Sequence, residues 1–330
     1  MSKQIGIPQR FLVVGAAAAF VLTWSSGFII AKIATNTAAP LTVLLWRFVV
    51  VAALLLVAIL VLRLRRRELV MPRWRDIRPH LTIGLFAQFG YILPIYLAVG
   101  AGVSTGTTAL IDAIQPLVVA TLVGPLLGLR VRAMQWLGLL LGATGVVVIV
   151  TADGSTSMSP TPAYALPLIA LVSLVTATFL DRRTTVRLGV FATLSTHAAV
   201  TLVAIAGLAA VTGSLVPPAS ADFWVSTVLT AVFPALIAYA LYWYLLRRLG
   251  ITTLNALLYL VAPTTAVAGT VLFGEPFTPI TLAGLLLGGV AIALVIAPRR
   301  DGGAGQSRGT SRNVVASTSA PVTDPTMAGP

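Results

Sequence analysis

Cysteine is absent from all 330 residues, which excludes disulfides, thiolate metal sites and cysteine nucleophiles together. Histidine occurs only twice, as His80 and His197. Charge is scarce too: Asp, Glu, Lys and Arg make up 9% of the chain, where a soluble domain carries about 25%. No HExxH, Walker A loop, GxSxG elbow or dinucleotide fingerprint appears. An enzyme reading therefore starts without a nucleophile, metal or cofactor motif, and no catalytic residue, cofactor or metal is expected.

What the chain does have is apolar length. It is 58% hydrophobic with a mean hydropathy of +0.97, so it belongs in a bilayer. A lipid-exposed span needs about 20 mostly apolar residues in helical form, because hydrocarbon offers backbone groups no partner. Ten such runs stand out, near 11–32, 41–62, 79–100, 103–126, 133–151, 162–180, 188–212, 223–246, 252–273 and 279–297. The fold class expected is an all-α integral membrane protein with ten transmembrane helices. The first run is too long for a secretory h-region and no clear cleavage site follows, so it reads as a retained helix. From 298 the chain turns polar and rich in Gly, Ser, Thr and Pro, and reads as a disordered tail.

A net charge of +13 would suggest nucleic acid in a soluble protein, but the distribution argues otherwise. Twenty of the 22 Lys and Arg fall in alternate connections: Lys3 and Arg10, the Arg63 to Arg78 run, Arg130 and Arg132, Arg182 to Arg187, Arg247 and Arg248, and the tail. The opposite connections hold Asp153, Asp222 and Glu275, with Lys32 at the edge of one. This positive-inside pattern puts both termini in the cytoplasm. The partners expected are membrane lipid and a small-molecule substrate, not nucleic acid.

The string GLLLG occurs at 138–142 and again at 284–288. Around it, Gly128 aligns with Gly274, and ALIDAIQP (109–116) lies over ALLYLVAP (256–263) with one residue's shift. Spans four and five thus match nine and ten, and each half holds five helices. An odd number of crossings reverses direction, so the halves, 1–152 and 153–297, form two inverted repeats, the architecture of many secondary transporters.

WSSGFIIAK in span one, LLWRF in span two and FGEPFTPITLAGLLLGGVAIAL at the end resemble the drug/metabolite transporter superfamily, in its EamA-like branch of ten-helix bacterial metabolite exporters. The resemblance covers about 11–297 and implies a transporter of the inner membrane. Leu129 departs from it, standing where the family often carries an acidic partner of Glu275. The branch includes exporters of amino acids, other small metabolites and drugs, so substrate stays open between amino-acid export and export of drugs or toxic compounds.

Glycine rows in spans four, five and ten suit close helix packing, and Pro94, Pro116, Pro234 and Pro263 suit kinks. Asp112 lies nine residues into span four, about 13 Å down, and Arg47 about 9 Å from the same side. A charge at mid-membrane costs about 2.5–3.5 kcal/mol on insertion scales, so neither should face lipid. Two readings stand: an Arg47–Asp112 ion pair joining spans two and four, or Asp112 lining a cavity to bind a substrate ammonium or carry a coupled proton. His197 occupies roughly the place of Arg47 in the second half, where it could titrate or bond to a neighbouring helix. Trp24, Ser25, Gln88, Tyr91, Gln115, Tyr239 and Tyr259 complete the candidate substrate pocket. Lys32 reads as an interface anchor, like Trp46, Tyr242, Trp243 and Tyr244. A passive channel would need a continuous polar ring, and a membrane enzyme a catalytic constellation; neither is visible.

Overall fold

The computed structural model describes residues 7–65, 72–127, 133–156 and 159–296. Lys3, Arg66, Arg67, Glu68, Leu129, Arg130, Arg132, the polar tail from 298, and the side chains of Arg10, Trp243 and Arg247 lie outside it.

Every regular element among the described residues is helical. Helix α1 (Ile7–Thr35) leads into α2 (Pro40–Leu64), which starts on a proline whose missing N–H costs nothing in the first turn. The third stretch is α3 (Trp74–Gly84), a π-helical segment Leu85–Phe89, and α4 (Gly90–Gly100). The fourth is α5 (Thr105–Ala113) followed by α6 (Gln115–Leu127), and α7 (Ala133–Thr156) closes the first half. A 3₁₀ turn, Thr161–Tyr164, opens α8 (Ala165–Arg183), and α9 (Val190–Thr212) stops at Gly213, whose φ of +71° suits glycine. Then come α10 (Ala221–Val232), a second π segment Phe233–Ile237, α11 (Ala238–Phe273) and α12 (Pro279–Ile296). Seven described helical stretches are long and apolar enough to cross a membrane. The protein is an all-helical integral membrane protein.

Two features depart from a plain row of helices. The fourth span breaks at Ile114. Pro116 has no N–H for the carbonyl of Asp112 four residues back, and the Ile114 N–H takes that carbonyl instead. Asp112 therefore sits at the break.

The second feature is the 36-residue run of α11. Tyr239 stacks on Trp24 with ring centroids 6.0 Å apart, while the adjacent Ser25 Oγ donates to the Val261 carbonyl at 3.4 Å. In a straight helix Tyr239 and Val261 would lie about 33 Å apart. The run thus doubles back between Leu245 and Leu254, both buried together against Phe20 and Val21. One arm runs antiparallel to α1 and the other parallel.

Helix α1 packs on α10 and α11, α8 on α4 and its π segment, α2 on α9, α5 on α11, and α7 on α12. The last contact sets the GLLLG string at 284–288 against residues 145–149, just past the first string, whose Gly142 faces Ala291. A Cβ on Gly145 would sit 2.9 Å from the Gly284 carbonyl, and one on Gly284 would collide with Ile149. Likewise a Cβ on Gly106 would come 2.9 Å from that of Ala266. Small residues here bring backbones close enough for dispersion to hold helices together without a hydrophobic drive.

Candidate functional site

Asp112 is held at the end of α5, next to the break, and Tyr91 on α4 donates its hydroxyl to Asp112 Oδ2 at 3.0 Å. The other oxygen, Oδ1, is buried and has no hydrogen-bond partner in the protein. Such an acceptor costs about 1–3 kcal/mol, so it marks an incomplete arrangement.

The aromatic wall comes from α1 and the first arm of α11. Trp24 packs on Tyr239, on Tyr242 at 6.1 Å and on Phe20 at 5.3 Å. Tyr239 lies within electrostatic reach of the Tyr91 hydroxyl, which joins the wall to the Tyr91–Asp112 pair. Gln115, just past the break, donates to Thr178 Oγ1 on α8 at 3.3 Å. Gln88, in the first π segment, is buried with its Oε1 unpartnered.

The Arg47–Asp112 ion pair does not form. Arg47 instead donates from Nη1 to the Tyr96 hydroxyl at 2.9 Å, its guanidinium over the Phe48 and Tyr96 rings at 5.6 and 5.7 Å. Ion pairs seen elsewhere are Lys32–Glu275 and Arg187–Asp181. Arg47 and Asp112 are both anchored on span three, through Tyr96 and Tyr91, about 7.5 Å apart along its axis. Tyr259 is also drawn elsewhere: its hydroxyl donates to the Leu285 carbonyl of α12 and its ring covers Gly288 and Gly289. Ser25 serves the helix contact with Val261.

His197 meets the other histidine, His80, with ring centroids 6.2 Å apart. Its Nε2 is buried without a partner.

A second polar cluster went unread in the sequence. Lys32 is no surface anchor: its Nζ lies 2.5 Å from Glu275 Oε1. Glu275 is 8% exposed and also accepts from the Thr105 N–H at 3.0 and 3.1 Å and from Thr105 Oγ1 at 2.8 Å. Beside it Asp153 accepts from the Tyr164 hydroxyl at 2.9 Å and the Ser104 N–H at 3.3 Å. Two carboxylates thus meet the N-terminus of α5, where the helix dipole favours negative charge. The one available signal was that Lys32 is the lone cation at the edge of the acidic end and that it and Glu275 stand in the two most distinctive motifs.

Residues 11–151 and 161–297 each match the EamA-like transporter family. The chain is 27% identical over 292 residues to the uncharacterized inner membrane transporter YedA of Escherichia coli K12, covering 86% of this chain and 89% of that one. It is 29% identical over 280 residues to a protein of Streptantibioticus cattleyicolor named as a probable terminal-alkyne amino-acid exporter, covering 83% and 90%. One solved structure, described only as the crystal structure of a protein, superposes with a TM-score of 0.60 at 18% identity over 87% of this chain and 97% of its own, and speaks for the fold alone. With both halves of the chain matched, this protein belongs to the EamA-like transporter family.

Proposed function

We propose that the protein is a secondary active exporter of amino acids or related small metabolites in the inner membrane, working by alternating access with protons as the coupling ion. The observation that carries this reading is Asp112: a mid-span carboxylate at a helix break, bonded on one oxygen and bare on the other. Discontinuous helices with polar groups at the membrane midplane are where secondary transporters bind substrate and ion. A carrier must take up a proton on one side and release it on the other. A carboxyl whose surroundings alternate between wet and dry can do both.

Two inverted five-helix repeats, 1–152 and 153–297, frame that site, with the arginine-bearing end and both termini in the cytoplasm. Three observations support the repeat. The family matches twice. The packing is reciprocal, α1 on α10 and α11 as α8 is on α3's continuation α4. The two π segments lie 148 residues apart, close to the 146 of the GLLLG strings. The relative named as an amino-acid exporter supports the substrate class. Export of drugs is the second reading, favoured by the cluster of Trp24, Phe20, Tyr239 and Tyr242.

Purified protein in proteoliposomes decides between them. Labelled L-amino acids, including a terminal-alkyne amino acid, should show counterflow and accumulate when a pH gradient is imposed. Asp112→Asn should abolish the gradient-driven uptake and leave exchange partly intact. Full gradient-driven transport by the Asn variant would sink the carrier role, and competition by a cationic aromatic dye but not by amino acids would favour drug export.

A further inference from the structure

His80, Gly84, Gln88 and Tyr91 follow one another at four-, four- and three-residue spacing, one face of the third span. The stripe covers about 16 Å, from the arginine-bearing end up to the Tyr91–Asp112 pair. Helix α9 lies against it. A Cβ on Gly84 would come 2.8 Å from His197 Cδ2 and 2.9 Å from its Cα, so glycine at 84 admits the imidazole to the stripe. One turn along α9 from His197 is Thr201, 0% exposed, and α9 also packs on the π segment that carries Gln88.

Each of these groups has a buried atom without a hydrogen-bond partner in the protein: His80 Nδ1, His197 Nε2, Thr201 Oγ1 and Gln88 Oε1, and beyond them Asp112 Oδ1. Interiors tolerate a few such atoms, each needing a reason. Here five belong to the stripe, to the α9 face packed on it and to the candidate carrier beyond Tyr91. At the opposite end, His80 Nε2 lies 3.2 Å from the Val186 carbonyl. That carbonyl only accepts, so Nε2 bears a hydrogen, and the neutral ring keeps its free lone pair on Nδ1. At this end Asp181 pairs with Arg187 at 3.0 Å and is within electrostatic reach of His197, and α3 and the last turn of α8 add Arg75, Asp76, Arg78, Arg182 and Arg183. At the Asp112 end the neighbours are Tyr91 and, behind it, Tyr239 and Arg47.

We infer that this row is the proton path between Asp112 and the cytoplasm, with His197 and His80 as relay bases and Thr201 and Gln88 orienting the water that joins them to the carboxyl. The inference rests on the reading of Asp112 as carrier. On release, the carboxyl O–H breaks as an O–H forms on a bridging water, and that water gives one of its own hydrogens to His197 Nε2. The imidazolium returns to neutral by passing a proton to His80 Nδ1. His80 then sheds its Nε2 hydrogen to cytoplasmic water. One proton enters and one leaves, and no other reactant is needed.

The test follows Asp112 itself, in full-length protein in lipid nanodiscs, by time-resolved infrared after a pH jump. The carboxylic-acid carbonyl band that Asp112→Asn removes reports its protonation, with no substrate required. His197→Gln and His80→Gln, which keep a polar side chain without a basic nitrogen, should slow the band's response on the order of a hundredfold. Added imidazole should restore His197→Ala, which a merely structural role would not allow. Unchanged rates in both Gln variants would overturn the path while leaving the carrier intact. If Asp112→Asn removes no band, Asp112 does not titrate, and carrier and path fall together.

Discussion

Glu275 and Asp112 are both carboxylates attached to α5, one at each end of its nine residues, and their surroundings are opposites. Glu275 is saturated: an ammonium, a backbone N–H shared by both oxygens, and a hydroxyl. Asp112 has a single phenolic donor and a bare oxygen. A buried charge persists at low cost only when its hydrogen-bonding capacity is met. The saturated carboxylate thus ties three segments together, whereas the unsaturated one keeps an oxygen free for a further partner.

The contrast breaks most visibly at the clamp. Removing one partner of a buried ion pair leaves the other uncompensated, at about 3–5 kcal/mol. Lys32→Met strands a carboxylate whose side chain is only 7% exposed, but the Thr105 N–H and hydroxyl still donate to it and hold the loss down. We expect Lys32→Met to lower the melting temperature in detergent clearly, by a stability loss at the lower end, about 3 kcal/mol. Asp112→Asn should leave it nearly unchanged. Equal losses in the two variants would mean that the two carboxylates do the same work.

Gly269 sharpens the comparison at smaller cost. A Cβ there would collide with the Glu275 carboxylate and stand 2.6 Å from Thr105 Oγ1. Gly269→Ala should therefore destabilise by about 1–3 kcal/mol, the usual range for overpacking. In a Glu275→Ala background the carboxylate is gone and Thr105 Oγ1, no longer held by it, can turn aside, so the same substitution should cost less. Additive losses would show that Gly269 matters for something other than the clamp.

The broad architecture was legible in the sequence because hydropathy and helix length report on solvent, and solvent acts locally. Pro116 announced the break in span four through a missing N–H, and the GLLLG strings announced a contact through their small size. Pairings were not legible where they join distant segments. Lys32 and Glu275 are 243 positions apart, and nothing local in either motif names the other. The two histidines looked unrelated because their meeting depends on Gly84, whose role is only the absence of a side chain. Pairing Arg47 with Asp112, one of the two readings the sequence allowed, rested on depth alone. Depth fixes one coordinate, and the helix face, which the π segment Leu85–Phe89 also shifts, decides the partner.

The smallest expected effect concerns that reassignment. Arg47 donates to Tyr96 at 2.9 Å and makes no ion pair with Asp112. Double-mutant cycles separate direct partners from mere neighbours, since residues in contact couple by about 0.5–3 kcal/mol while distant ones add to within about 0.5 kcal/mol. The Arg47→Ala and Tyr96→Phe cycle should show coupling, because Phe keeps the ring beneath the guanidinium and removes only the hydroxyl. The Arg47→Ala and Asp112→Ala cycle should be close to additive in thermal stability. Both cycles share one variant, so loss of the guanidinium's packing on Phe48 cancels between them. If the Asp112 cycle shows the larger coupling, the two charges act as one buried pair, and Asp112 belongs with Glu275 among the groups that hold the bundle together.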